Sequence, residues 1–197
     1  HIKDTRRLSA VEGSRLDLTL QLNKPVVSAW LVARDDDKQA VPLLLETNRA
    51  VAGLKQFLLE ASKVYELQLV DAEHRTNKVP EQFVFDVLKN RPPELKLASP
   101  RGDVRPSALE EISFEGDVWD DFGVQAYGLA YTLIGQEPRI IELGEAVPAR
   151  EKRPFQNVLR LEDLGLQPDE LISWFIWADD IGPDGKVRRT TGDLFFA

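Results

Sequence analysis

Six aspartates in the second half of the chain come closest to a constellation that could do chemistry. They are Asp117, Asp120 and Asp121, followed by Asp179, Asp180 and Asp184. Calcium takes about six to eight oxygen ligands, and clustered carboxylates on neighbouring loops supply them. A calcium ion is therefore the cofactor this set could hold. The competing reading is turn chemistry, because Asp side chains bond to nearby backbone groups, with Lys89 and Arg91 available to neutralise the acids. Other chemistries are poorly supplied. With no cysteine, disulfides, thiolate catalysis and Cys-type zinc sites are excluded. The two histidines, His1 and His74, are too few for a His-rich metal site and a poor basis for a triad, which needs a held, oriented imidazole. Glu110-Glu111, as strand neighbours, point to opposite faces and cannot flank a glycosidase cleft, and Glu162-Asp163 reads as solvated surface. Gly53, Gly123, Gly128 and Gly135 form no phosphate-cradling pattern. No catalytic residue is assigned, and the chain is not expected to be an enzyme.

The elements that must position these acids are strands. Leu16, Leu18, Leu20 and Leu22 alternate with polar residues, the period-two pattern of a half-buried strand. Asn23-Lys24-Pro25 turns the chain into a strand over 26–33 whose phase is ambiguous, because both parities are apolar. Asp35-Asp36-Asp37-Lys38 forms a polar tip, and Val41 to Leu45 returns. Strands over 54–59, 64–70 and 82–88 follow. About seven short strands with no convincing helix predict a β-sandwich.

The second half repeats the plan. Ile112, Phe114 and Val118 match Leu16, Leu18 and Leu22 in phase. Trp174, Ile176, Ala178 and Asp180 match Tyr65, Leu67, Leu69 and Asp71, and Leu194 and Phe196 match Phe85 and Val87. Tyr65 and Trp174 occupy the position of a corner aromatic. Between them lie a strand over 127–133, a short return strand over 140–143 and a charged loop from Gly144 to Pro154. Matched phase across several strands predicts two copies of one fold. The expected fold class is all-β: two tandem immunoglobulin/fibronectin-III-like β-sandwiches, residues 1–91 and 92–197. Between them, Lys89-Asn90-Arg91-Pro92-Pro93 reads as a hinge, since adjacent prolines stop helix and ladder alike. Lys89, Arg91, Pro92 and Pro93 are its candidate residues, the two cations poised to latch onto the acidic loops.

Several motifs of the second half resemble a repeat found in large, membrane-anchored bacterial envelope proteins of unknown function. They are Arg91-Pro92-Pro93-Glu94, Asp120-Asp121-Phe122-Gly123, Leu164-Gly165-Leu166-Gln167-Pro168-Asp169 and Trp177-Ala178-Asp179-Asp180. The close, Gly182-Pro183-Asp184-Gly185-Lys186 and then Asp193-Leu194-Phe195-Phe196, fits too. The resemblance covers about the last half of the chain. It implies immunoglobulin-like domains between N-terminal transmembrane helices and a coiled-coil-rich tail. It also implies a periplasmic or cell-surface setting within a membrane-anchored parent, and no reaction.

Charge narrows the partners. Residues 1–91 carry +1 and residues 92–197 carry −9. A nucleic-acid binder needs a basic stripe, so no nucleic acid is expected. No apolar run approaches the length of a membrane helix, and a start at His1 without Met suggests a piece of a longer protein. An apolar shelf is expected where Phe175 and Trp177 alternate with inward residues, beside Ala126, Gly128, Ala130 and Phe195. Phe175, Trp177 and Phe195 are thus a candidate surface for a protein partner or another part of the parent chain. The expected role is a structural or protein-interaction segment of an envelope protein. The alternatives are a calcium-rigidified adhesion-like stalk and a carbohydrate-binding module of a larger enzyme.

Overall fold

A computed structural model describes residues 5–35, 39–46, 49–166 and 170–197. His1, most of the tip at Asp36-Asp37-Lys38, and Gln167-Pro168-Asp169 of the turn motif lie outside the described residues. The described elements are strands and one 3₁₀ turn, and the fold is all-β, of the immunoglobulin-like sandwich type. The chain divides into two compact units, His1–Lys89 and Asn90–Ala197.

In the first unit, β1 (Arg7–Val11), β8 (Gln82–Leu88), β7 (Lys63–Val70), β3 (Ser28–Ala33) and β4 (Ala40–Pro42) form one sheet in that spatial order. The second sheet runs β2 (Arg15–Gln21), β6 (Val51–Leu58), β5 (Leu44–Leu45). The expected single strand over 41–45 is two. Leu43 is buried between them, and the chain crosses there from pairing with β3 to pairing with β6. The ambiguous strand β3 resolves by burial. Ala29, Leu31 and Ala33 enter the core, while Trp30 faces outward opposite Pro42 and Gln68. Tyr65 is buried against Phe85 and Phe57, ring centroids 5.3 and 6.3 Å away, and burial raises its phenol pKa.

In the second unit, β13 (Lys152–Arg160), β10 (Glu111–Trp119) and β9 (Glu94–Ser99) make one sheet. The other runs β12 (Arg139–Gly144), β11 (Ala126–Leu133), β14 (Ile172–Ile181), β15 (Val187–Thr191), with β16 (Phe195–Phe196) also on β14. The core gathers Phe114, Val118, Leu129, Ile172 and Trp174, each fully buried. The two units share a plan, as the matched phases predict: β2–β6 and β3–β7 in the first correspond to β10–β13 and β11–β14 in the second, the extra step in the first count coming from the division of one expected strand into β4 and β5. Their first strands differ: β1 runs parallel to β8, whereas β9 pairs antiparallel with β10.

Two sequence expectations shift here. The charged loop ends near residue 151 rather than at Pro154, because Pro154 is inside β13 opposite Asp117. As β13 is an edge strand, the missing N–H costs no ladder bond on its open side. The second shift is one of parity. Trp177 pairs with Thr191 but Trp174 with Phe195, so four residue steps on one strand face three on the other. This bulge at Gly192–Leu194 turns Phe195 inward and leaves Leu194 and Phe196 outside. Leu194 and Phe196 therefore do not take the buried places of Phe85 and Val87.

Candidate functional site: the acidic end of the second unit

Of the six candidate aspartates, Asp117 lies on β10, and Asp179 and Asp180 on β14, rather than in loops. Asp120 and Asp121 begin the β10–β11 loop, and Asp184 tips the β14–β15 hairpin. Asp117, Asp120, Asp179, Asp180 and Asp184 each have a local partner. Lys152 Nζ reaches Asp117 Oδ1 at 3.0 Å. Asp184 Oδ1 accepts the Lys186 N–H at 3.1 Å, ordinary turn chemistry.

The hairpin supplies the strongest contacts. Its register pairs Asp180 with Arg188 and Asp179 with Arg189. Arg189 Nε and Nη2 each donate to one oxygen of Asp179 at 2.7 Å, a bidentate clamp. Arg188 Nε donates to Asp180 Oδ1 at 3.0 Å and its Nη2 to Oδ2. The carboxylates raise both guanidinium pKa values through these hydrogen bonds. Arg188-Arg189, on the sequence too short a run to bind nucleic acid, is the pair of cations that holds these acids and that sequence reasoning passed over. The signal was present, since both acids and both arginines lie symmetrically about Asp184.

Asp120 is buried and holds the Asp120-Asp121-Phe122-Gly123 motif together. Its Oδ1 accepts the N–H groups of Phe122 at 2.8 Å and Gly123 at 2.7 Å. Gly123 has φ +106°, and a Cβ there would come within 2.9 Å of the Val147 carbonyl oxygen. The motif is a turn that only glycine closes. Asp120 Oδ2 and Asp121 Oδ1 are buried and have no hydrogen-bond partner among the described residues. Burial raises the Asp120 pKa, with smaller contributions from Asp121 and Asp180, against the lowering effect of the two backbone N–H groups. The sign follows: a raised folded-state pKa means stability is fullest with Asp120 protonated and falls as pH rises through that pKa. Asp120→Asn keeps an acceptor for both N–H groups and removes the buried charge. It is expected to raise the melting temperature of the second unit at pH 7–8, with the gain shrinking toward pH 4. Thermal unfolding across that range reads it.

Among the described residues no group of three or more His, Cys, Asp or Glu side chains is arranged to hold a metal ion. Lys89, one of the two cations expected to latch onto the acids, is taken up within its own unit. Its Nζ pairs with Glu12 at 2.7 Å. Arg188 is the cation on the acids, and its Nη2 also donates to Asn90 Oδ1 at 3.0 Å and the Arg91 carbonyl at 2.8 Å. Asn90 Nδ2 completes the clasp on the Ile181 carbonyl at 2.8 Å. Pro92 is exposed and Pro93 buried as the chain enters β9.

The expected aromatic shelf is rearranged. Trp177 does occupy the outer face of the sheet, opposite Gly128, but it is 1% exposed. The Arg189 guanidinium lies 4.0 Å from its ring centroid. Beneath it, a Cβ on Gly128 would come within 2.8 Å of the indole. Phe175 is half-buried on the same face. Phe195 turns inward through the bulge and packs on Trp174, centroids 4.9 Å apart, so it is not part of an outward shelf. Gly128→Ala would also drive its methyl to 2.0 Å from the Ile141 carbonyl oxygen. It is expected to destabilise the second unit by about 1–3 kcal/mol through overpacking, read by denaturant unfolding.

No protein-family model matches the chain, and no curated protein matches it. Among solved structures it is similar to trypsin-activated alpha-2-macroglobulin from Escherichia coli, at 10% identity over 98% of this chain and 15% of that one, TM-score 0.32. It thus spans a small fraction of that protein's length. It is also similar to DIP-gamma IG1+IG2, at 10% identity over 93% of this chain and 89% of that one, TM-score 0.32. A third likeness is to a DUF4785 family protein from Legionella pneumophila, at 14% identity over 95% and 52% of the two chains, TM-score 0.30. At these identities and scores the likenesses assign no activity.

Proposed function

We propose that the chain is a non-catalytic structural and protein-interaction segment of a larger bacterial envelope protein, lying in the periplasm or at the cell surface of a membrane-anchored parent. The observation that carries the reading is how its conspicuous polar groups are spent. Asp71, Asp179 and Asp180, all buried, are clasped by Lys24 and Arg75, by Arg189 and by Arg188 within their own units. Side chains committed this way hold strand ends and hairpins in place. The envelope setting is supported by the repeat motifs at Arg91-Pro92-Pro93-Glu94, Asp120-Asp121-Phe122-Gly123 and Trp177-Ala178-Asp179-Asp180. Function belongs to sites and not to folds, so the reading is tested on the native chain. Protease added to cells with a permeabilised outer envelope is expected to cleave this segment while cytoplasmic markers stay intact. Protection together with those markers would overturn the proposal.

A further inference from the structure

One end of the outer face of the second unit's β12–β11–β14 sheet is apolar and, among the described residues, exposed. Register puts Ile140 and Phe175 on either side of Ala130, and Phe196 beside Ser173 one step along. Continuing the strands by one residue adds Ile134 and Leu171, which follow Leu133↔Ile172, and Leu194, which precedes β16. The exposures are 71% for Ile134, 55% for Ile140, 54% for Leu194, 45% for Leu171 and 37% for Phe196. The bulge that turns Phe195 inward is what delivers Leu194 and Phe196 to this face. Contiguous apolar surface of this kind marks a contact site.

The surroundings say what kind of partner fits. Glu137 in the β11–β12 turn, Glu142 two residues beyond Ile140 on the same face, and Asp193 beside Leu194 border the patch. Glu137 and Asp193 make no ion pair among the described residues, and Glu142 lies within the field of Arg189. These acids belong to the half of the chain that carries −9. A second copy would bring the same acids against themselves, and like charges meeting across an interface are costly.

We infer that this face, as the contact surface of the interaction segment proposed above, docks an extended protein segment whose apolar side chains are flanked by lysine or arginine. The apolar row takes the alternating apolar side chains and the acidic border takes the cations. The same border sets the rate and the salt dependence of association.

The test uses the whole chain and two probes, a short peptide alternating valine with lysine and its counterpart alternating valine with glutamate, both read by fluorescence anisotropy. The lysine peptide is expected to bind and the glutamate peptide not to, with binding weakening as salt rises above about 0.15 M. Ile140→Asp and Ile134→Asp, both on exposed side chains, are expected to weaken binding at least about tenfold. Val158→Asp, on the outer face of the opposite sheet, is the matched control and is expected to leave it unchanged. Equal binding of the two peptides, binding of neither, or indifference to Ile140→Asp would overturn the inference. So would a concentration-dependent dimer, seen by sedimentation and abolished by Ile140→Asp, since the face would then belong to a second copy. This outcome is independent of where protease finds the segment in the cell, so the two proposals fail separately.

Discussion

Trp174→Ala is expected to lower the unfolding midpoint of the second unit by roughly 12–40 °C while leaving the unfolding transition of the first unit where it was. Trp174 is fully buried. Its ring stands edge-on to Phe114 at 4.8 Å and lies against Phe195 at 4.9 Å. Truncating such a residue costs about 3–5 kcal/mol from lost transfer energy and residual cavity, a large part of the 5–15 kcal/mol that typically holds a domain together. For a unit of this size each kcal/mol moves the midpoint by about 4–8 °C. The core residues of the two units form separate clusters with no member in common, so only one of two calorimetric transitions should move. Trp174→Phe separates packing from polarity. The Trp174 indole N–H is buried without a partner, so removing it relieves an unpaired donor and offsets part of the cavity cost. The Phe variant should therefore lose much less than the Ala variant. Equal losses would show that the indole N–H is satisfied in solution.

The strands and their faces were legible because burial imposes a period of two wherever one side meets a core. Leu16, Leu18 and Leu20 announce β2 in this way, and Ile112 and Phe114 announce β10. The repeat was legible at Asp71 and Asp180 as well. Both come at the end of an alternating apolar run, that of β7 and that of β14, and both are buried acids clasped by cations. Asp71 accepts from Lys24 and Arg75 side chains and from the backbone of Arg75, which holds its pKa well below the ordinary carboxylate range. Its lowered pKa is the opposite sign to that of Asp120. Stability from Asp71 is present at neutral pH and is lost as pH falls below about 4. Two features escaped the sequence. A bulge between Thr191 and Phe195 reverses the facing of the last strand, and no composition signal distinguishes it from a straight strand. The cover over Trp177 escaped because Arg189 is charged, and charge alone suggests solvent. Arginine instead lays its planar guanidinium on an aromatic face while its fork holds a carboxylate, and Arg189 does both.

Arg188→Gln is expected to be the most damaging single change to a charged side chain of the second unit. Asp180 is 1% exposed and takes both of its oxygens to Arg188. Around it stand Asp120 and Asp121, close enough for both to raise the Arg188 pKa further. Removing the cation leaves a buried, uncompensated carboxylate among other acids, which costs about 3–5 kcal/mol. The variant also strips the donors from Asn90 Oδ1 and from the Asn90 and Arg91 carbonyls. These contacts lie within the second unit, which includes Asn90 and Arg91, two residues before the boundary that the prolines suggest. The double variant Asp180→Leu with Arg188→Met should recover much of the loss, because a buried pair exchanged for apolar side chains of similar size is often neutral or stabilising. What the double variant cannot restore is the hold on Asn90 and Arg91. Limited proteolysis is therefore expected to cut near residues 90–91 faster in both variants than in the wild type, even where denaturant unfolding shows stability regained. If the double variant is both stable and protected there, the clasp on Asn90 is incidental and Arg188 serves Asp180 alone. A fragment beginning at Pro92 gives the complementary reading. It lacks both residues that Arg188 holds beyond Asp180, and should unfold at lower denaturant than one beginning at Asn90.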